Sequence, residues 1–237
     1  MDEKRRQRPV SLAPRARPTQ TRSELSRRRI LEAAHQILKQ GGARELTTVA
    51  VARASGVSVG ALYRFFPNKE SIVCALYDEK LQEIRRLGEQ STQPASGAGN
   101  WRDHFRHLIG AFKESERAVD FDSSLSDALF TLPQLWAIDL RHGIMVADLL
   151  VAQMRRWGST WSDAALFDLA MNLYALDAAN WMYWRYADKF PTLAIARSIE
   201  ASVFLLEPAM EGHAEPVSVG VERHELLRRL DSGEVGR

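Results

Sequence analysis

The chain has 237 residues, 45% of them hydrophobic and 26% charged, with 14 glycines and 9 prolines. This is the ordinary usage of a globular protein, which excludes collagen-like, wholly disordered and coiled-coil-only readings. A single cysteine, Cys74, leaves no disulfide framework and no Cys-based zinc site, and no apolar signal-peptide core follows the charged first residues, so the expected compartment is a reducing cytoplasm.

The formal net charge of +2 hides an uneven distribution: residues 1–72 hold 15 Lys/Arg against 6 Asp/Glu, and the remainder holds 17 against 24. A basic N-terminal segment on an acidic body suits a nucleic-acid reader joined to something that is not one. Residues 1–20 carry Lys4, Arg5, Arg6, Arg8, Arg15, Arg17 and three prolines. Their apolar content is too small to offset the entropy of ordering, so a disordered basic arm is expected. Thr21 and Glu24 stand at capping-box spacing, which predicts a helix from Thr21 or Ser23 with Ile30, Ala34, Ile37 and Leu38 on one face, ended by Gly41 and Gly42.

Breaks then come close together. Leu46 and Val51 flank Thr47 as a hydrophobic staple, predicting a short helix over 47–54. Ser55-Gly56-Val57 turns the chain, Ser58 caps a second short helix that stops before Pro67, and Asn68 caps a longer one through about Leu87. A helix-turn-helix needs a small residue where its helices touch, a glycine in the turn and apolar anchors for the second helix. Ala52, Gly56, Leu62 and Phe65 fill these roles in register. The second helix would then present Ser58, Val59, Gly60, Ala61, Tyr63 and Arg64 outward to the major groove, its small residues permitting close approach. Lys69 puts a cation in the first turn of a helix, against the macrodipole. A DNA phosphate at that N-terminus would remove the conflict, with Thr47 and Thr48 contributing from the preceding helix.

The run from Thr47 to Glu70, TTVAVARASGVSVGALYRFFPNKE, resembles the DNA-binding signature of the TetR family of transcriptional regulators, a resemblance spanning most of residues 25–75. It implies an all-α dimer with a three-helix DNA-binding head, a fourth helix leading into a ligand-binding and dimerisation body, and double-stranded operator DNA as partner. By position Tyr63 and Lys69 match the family's phosphate-contacting Tyr and Lys, and Thr47 or Thr48 its contact at the start of the second helix. Val59 stands where a Lys is common, and Phe65 where a His is common.

Residues 89–100 are polar and read as a linker. Beyond them helices are predicted over 101–117, 121–130, 133–157, 161–186 and 191–206, with breaks at Pro133, Gly158 and Pro191 and no useful β-alternation. The segment 164–183 is apolar nearly all round. Asp168 and Asp177 would each cost about 2.5–3.5 kcal/mol at a bilayer centre, so a buried bundle helix is expected and no membrane partner. Residues 207–237 read as a mostly flexible tail with one amphipathic piece, 221–230. The resulting division is an arm over 1–20, a head over 21–72, a body over 73–206 and a tail.

His104, Phe105, Trp136, His142, Met145, Tyr174, Asp177 and Trp181 are the candidate ligand-binding residues, an aromatic and Met-containing set with a few polar groups to orient a small, mainly apolar or aromatic effector. Core packing competes for each of them, and Asp177 equally suits an interhelical hydrogen bond. His104, His107 and Asp103 share a helix edge, but His104 lies on the apolar face of Trp101, Leu108 and Phe112, so no metal is assigned. No phosphate-binding loop, dinucleotide fingerprint, nucleophile elbow or metalloprotease helix is present, and neither an enzyme nor a cofactor is expected. The reading is a ligand-released repressor, homodimeric on a pseudo-palindromic operator. The alternatives are an activator or ligand-independent regulator with the same head, or a helical binding or catalytic protein only tethered to nucleic acid.

Overall fold

The structure, a computed structural model, describes residues 18–90, 92, 99–121, 123–184, 192–217 and 220–235. The expected basic arm therefore lies almost wholly outside the described residues. Among those described there are ten helices and no strand. Helix α1 (Pro18–Glu45) starts three residues before Thr21, with Pro18 at its first position, where a fixed φ helps and the missing N–H costs nothing. Gly42, at φ 68°, interrupts it near the expected end.

Helices α2 (Thr48–Ser55) and α3 (Val59–Phe65) form the helix-turn-helix. Thr47 accepts from the Ala50 N–H at 3.1 Å, and Ser58 from that of Ala61 at 3.2 Å. Gly56, at φ 67°, takes the left-handed conformation that lets Val57 N–H reach back to the Ala52 carbonyl at 3.1 Å. Leu46 and Val51 are both buried, as a staple requires. Leu62 and Phe66 seat α3 in the head core, while Phe65, the expected second anchor, is only partly buried.

Helix α4 (Lys69–Glu89) opens with a reciprocal Asn68/Ser71 cap: Ser71 N–H donates to Asn68 Oδ1 at 2.8 Å and Asn68 N–H to Ser71 Oγ at 3.4 Å. Its Ile72, Val73, Leu76 and Tyr77 join one hydrophobic cluster with Leu31 of α1 and Leu62 of α3, and also with Leu125 and Leu135 further along the chain. The helix thus belongs to head and body at once.

The body comprises α5 (Trp101–Ala118), α6 (Ser123–Thr131), α7 (Gln134–Arg156), α8 (Asp163–Trp184), α9 (Thr192–Met210) and α10 (Arg223–Asp231). Helices α7 and α8 pack tightly, and Gly143 is the reason: a Cβ there would lie 2.7 Å from the Tyr174 ring. Two expectations are corrected. Helix α8 is not buried all round, since Asn172, Ala175, Leu176, Ala178 and Ala179 are exposed. The tail is also more ordered than its polarity suggested. Helix α9 continues to Met210, and α10 docks on α7 and α8 through Leu226, Leu227 and Leu230, clamped by an Arg223–Asp148 ion pair at 2.7 Å and by Val221 N–H donating to Asp168 Oδ1 at 2.7 Å. Among the described residues no helix is long and apolar enough to cross a membrane.

Candidate nucleic-acid interface and buried cavity

The exposed face of the head collects most of the expected DNA-binding residues. Ser58, the cap of α3, and Val59, Gly60, Tyr63 and Arg64 within it are exposed, and a Cβ at Gly60 would meet nothing within 4 Å. Ala61 is the exception, half-buried against the head core, so it seats the helix and does not face outward. Tyr63 and Thr48 meet hydroxyl to hydroxyl at 3.1 Å, joining α3 to the start of α2. Either hydroxyl can donate, so the pair offers an O–H to an acceptor such as a phosphate oxygen. Lys69, exposed at the first position of α4, and Thr47, exposed at the cap of α2, flank them. The Asn68 cap satisfies the Ser71 N–H, and Glu70 places a carboxylate in the same turn. Any anion at this end is therefore held mainly by the Lys69 charge.

A second feature is internal. Helices α4, α5, α7, α8 and α9 line a half-open cavity of about 80 Å³. Ile84, Ile109, Phe112, Val146, Leu150 and Leu173 form its apolar wall, and Lys113, Glu116, His142, Tyr174, Asp177 and Ser202 its polar one. Of the candidate ligand-binding residues, His142, Tyr174 and Asp177 line it. His104 and Phe105 do not: both are fully buried in core packing, with His104 Nε2 3.0 Å from Gln153 Oε1 and its ring against Trp157. Trp136 and Met145 are surface residues at 53% and 41% exposure, and Trp136 Nε1 donates to the Leu129 carbonyl. The periodicity showed that these side chains shared helices with the cavity but not which way each helix turned. The Trp181 side chain lies outside the described residues.

The polar wall is coupled. Lys113, only 4% exposed, contacts Asp177 Oδ1 and lies 3.5 Å from Glu116 Oε2. Burial works against its charge, but the two carboxylates outweigh that and hold the ammonium above its ordinary range. Asp139 Oδ1 accepts from the Tyr77 hydroxyl at 2.8 Å and the Tyr174 hydroxyl at 3.0 Å. Burial raises its carboxyl above the usual range against the pull of those two bonds, and both phenols are pushed well up by burial and by Asp139. Burial, with Arg85 nearby, drives His142 down to about 4, so its imidazole is neutral near pH 7, and Nδ1 has no hydrogen-bond partner. Burial likewise lowers His104. Among the described residues no group of three or more His, Cys, Asp or Glu side chains is placed to hold a metal ion.

Lys113, Glu116 and Asp139 were missed in the sequence. A signal for the first two existed: they recur at helical spacing on the stripe of Ile109 and Phe112, where a charge has to find a partner.

Comparison with known proteins agrees with this geometry. Residues 30–76 match the family model described as bacterial regulatory proteins, tetR family. The chain is 32% identical over 68 residues to a fatty acid metabolism regulator protein of Bacillus subtilis, covering 28% of this chain and 35% of that protein. It is 28% identical over 103 residues to the HTH-type transcriptional repressor KstR of Mycolicibacterium smegmatis, covering 44% and 48% respectively. The matches thus span about a third and about half of those relatives. The fold is similar to a TetR-family transcriptional regulator from Streptomyces coelicolor, with a TM-score of 0.57 and 22% identity over 78% of this chain and 99% of that one. Residues 30–76 are thus similar to the TetR-family model, on a chain whose all-helical fold is similar to that of the Streptomyces coelicolor protein.

Proposed function

We propose that this protein is a dimeric transcriptional repressor that leaves its operator when a small, mainly apolar or aromatic molecule enters the cavity. One observation carries the reading: α4 runs from Lys69, beside the exposed α3, to Ile84 in the cavity wall. Fifteen residues of helix make that span about 22 Å. A ligand that displaces the wall moves the element that orients the head. The cavity of about 80 Å³ is smaller than the roughly 300–1,000 Å³ of sites for drug-sized molecules, so a larger effector needs the helices to part. That parting supplies the differential affinity by which a ligand shifts a conformational equilibrium.

The proposed division is a head over 21–72 and a sensing and dimerising body over 73–206, with α4 crossing the boundary. On the head, Thr47, Thr48, Tyr63 and Lys69 take phosphates, and Ser58, Val59, Gly60 and Arg64 face the groove. The sign of regulation draws on the relative named a transcriptional repressor. Dimerisation is supported by the apolar face of α8 and α9, where Leu176, Leu193 and Phe204 are 42%, 59% and 68% exposed. Val203 and Leu206 of α9 are buried within the chain, so the interface is assigned to the neighbouring face.

Footprinting on the DNA flanking the protein's own gene tests the reading. A dyad-symmetric footprint with half-sites about one helical turn apart, or a small multiple of it, and lost on adding an effector, is expected. Binding without sequence preference would support the tethered alternative instead, and a footprint that persists with every cavity ligand would support the ligand-independent one.

A further inference from the structure

Helix α3 turns two large apolar side chains to solvent, Val59 at 40% and Tyr63 at 51% exposure. Four residues apart, they lie on one exposed arc with Gly60 and Arg64, while Leu62 is fully buried in the head core. The polar groups beside Val59 have work within the chain. Ser58 Oγ accepts from the Ala61 N–H at 3.2 Å, and the Tyr63 hydroxyl meets that of Thr48 at 3.1 Å. Arg64 stands in the last turn, where a cation complements the helix dipole. Gly60 is not required by packing, since a Cβ there would meet nothing within 4 Å, and glycine weakens a helix relative to alanine. What it leaves is room for another molecule to come close to the first turn of α3. The side chain that meets such a molecule there is Val59, branched and without a polar atom.

We propose that Val59 reads one thymine in each operator half-site, packing its γ-methyl groups on the C5-methyl that this base alone presents in the major groove. The inference rests on the reading of the head as an operator binder. Against guanine, adenine or cytosine, Val59 would cover a donor or acceptor and give it no partner, which is unfavourable. Against thymine both surfaces lose apolar area to each other. Tyr63 and Lys69, on phosphates, fix the register of α3, so the thymine falls at one position of the half-site.

The test uses the full chain to select its preferred site from random-sequence duplexes. Each thymine of that site is then replaced singly by uracil, which removes the C5-methyl and leaves the pairing edge unchanged. One thymine per half-site should show about a fourfold loss of affinity, as expected for one methyl group no longer buried, and about fifteenfold when both half-sites are changed. Val59→Ala keeps the Ser58 cap and the Leu62 anchor and withdraws both γ-methyls. In that variant thymine and uracil should bind alike at this position, and the salt slope should match the parent's because no phosphate contact is lost. A selected site in which no uracil weakens binding, or in which the loss persists in Val59→Ala, overturns the assignment to Val59 and leaves the head as a sequence reader. Selection that yields no preferred sequence overturns the operator reading and the assignment with it.

Discussion

Tyr77 on α4 donates its hydroxyl to Asp139 on α7 at 2.8 Å, and that same carboxylate oxygen accepts from Tyr174 in the cavity wall. One buried acceptor therefore ties the helix that leaves the DNA head to the helix that lines the cavity. Tyr77→Phe deletes one donor and leaves the ring in place. A hydrogen bond to a charged group contributes about 1.5–3 kcal/mol, and a loss in that range is expected from urea denaturation. In Asp139→Asn the amide oxygen still accepts and a buried charge is removed, so the loss should be smaller. An unchanged midpoint in Tyr77→Phe would show that water replaces the phenol, and that the link does not constrain α4.

Lys69→Ala should weaken binding about equally on operator and unrelated DNA, and lower the log-log salt slope by about 1, because a phosphate contact releases counterions without reading bases. The Asn68 cap already occupies the Ser71 N–H, so that backbone donor does not replace the lost ammonium. Measured specificity that falls at constant slope would remove Lys69 from the backbone contacts.

The exposed Phe204 and Leu176 give the proposed dimer a direct handle. Phe204→Glu puts a charge into any apolar seam between copies, where an unpaired carboxylate costs several kcal/mol, while disturbing little within its own chain. Light scattering at micromolar concentration should show a dimer for the parent and a monomer for the variant. A variant that remains dimeric would place the interface elsewhere.

The sequence revealed the head almost residue by residue, because each of its turns is made by a local device. Thr47, Ser58 and Asn68 cap the helices that follow them, and Gly56 takes the one conformation the turn requires. The cavity was less legible because it depends on how five helices rotate about their axes. His142 and Trp136 look alike on α7 by composition. Six positions apart on a helix, they point differently, and one is buried beside Tyr174 while the other stands in solvent. The tail misled for another reason: α10 is polar on one side only, and its apolar side had no visible partner until α7 and α8 were in place.

Gly143→Ala tests the closeness of α7 and α8. In an isolated helix the change favours folding by nearly 1 kcal/mol, since Ala is the better helix former. Here the new Cβ would sit 2.7 Å from the Tyr174 ring, and the ring is a rigid neighbour already held by Asp139. Overpacking of this kind costs about 1–3 kcal/mol, so net destabilisation is expected in thermal unfolding. A gain in stability would mean that α8 moves away freely, and with it the cavity wall.

Acid should weaken the fold through His142. Burial, with Arg85 contributing, lowers the His142 pKa from 6.5 to about 4. Between those values the unfolded chain binds a proton that the folded chain refuses, so stability rises with pH there and is lost as pH falls below the unfolded value. From about pH 7.5 to about pH 5 this one group should cost about 2 kcal/mol. Asp139 works in the opposite sense, since its raised carboxyl accepts a proton in the folded state first. The other charged groups around the site, Lys113 and Glu116 on α5 and Asp177 on α8, are common to parent and variant, as Asp139 is. Comparing the parent with His142→Gln at both pH values therefore isolates the histidine. Gln keeps a polar group and cannot take up the proton, so urea stability of the variant should fall less between the two pH values, by about 2 kcal/mol. Equal losses in both proteins would show that acid opens the cavity and hydrates His142 before it titrates.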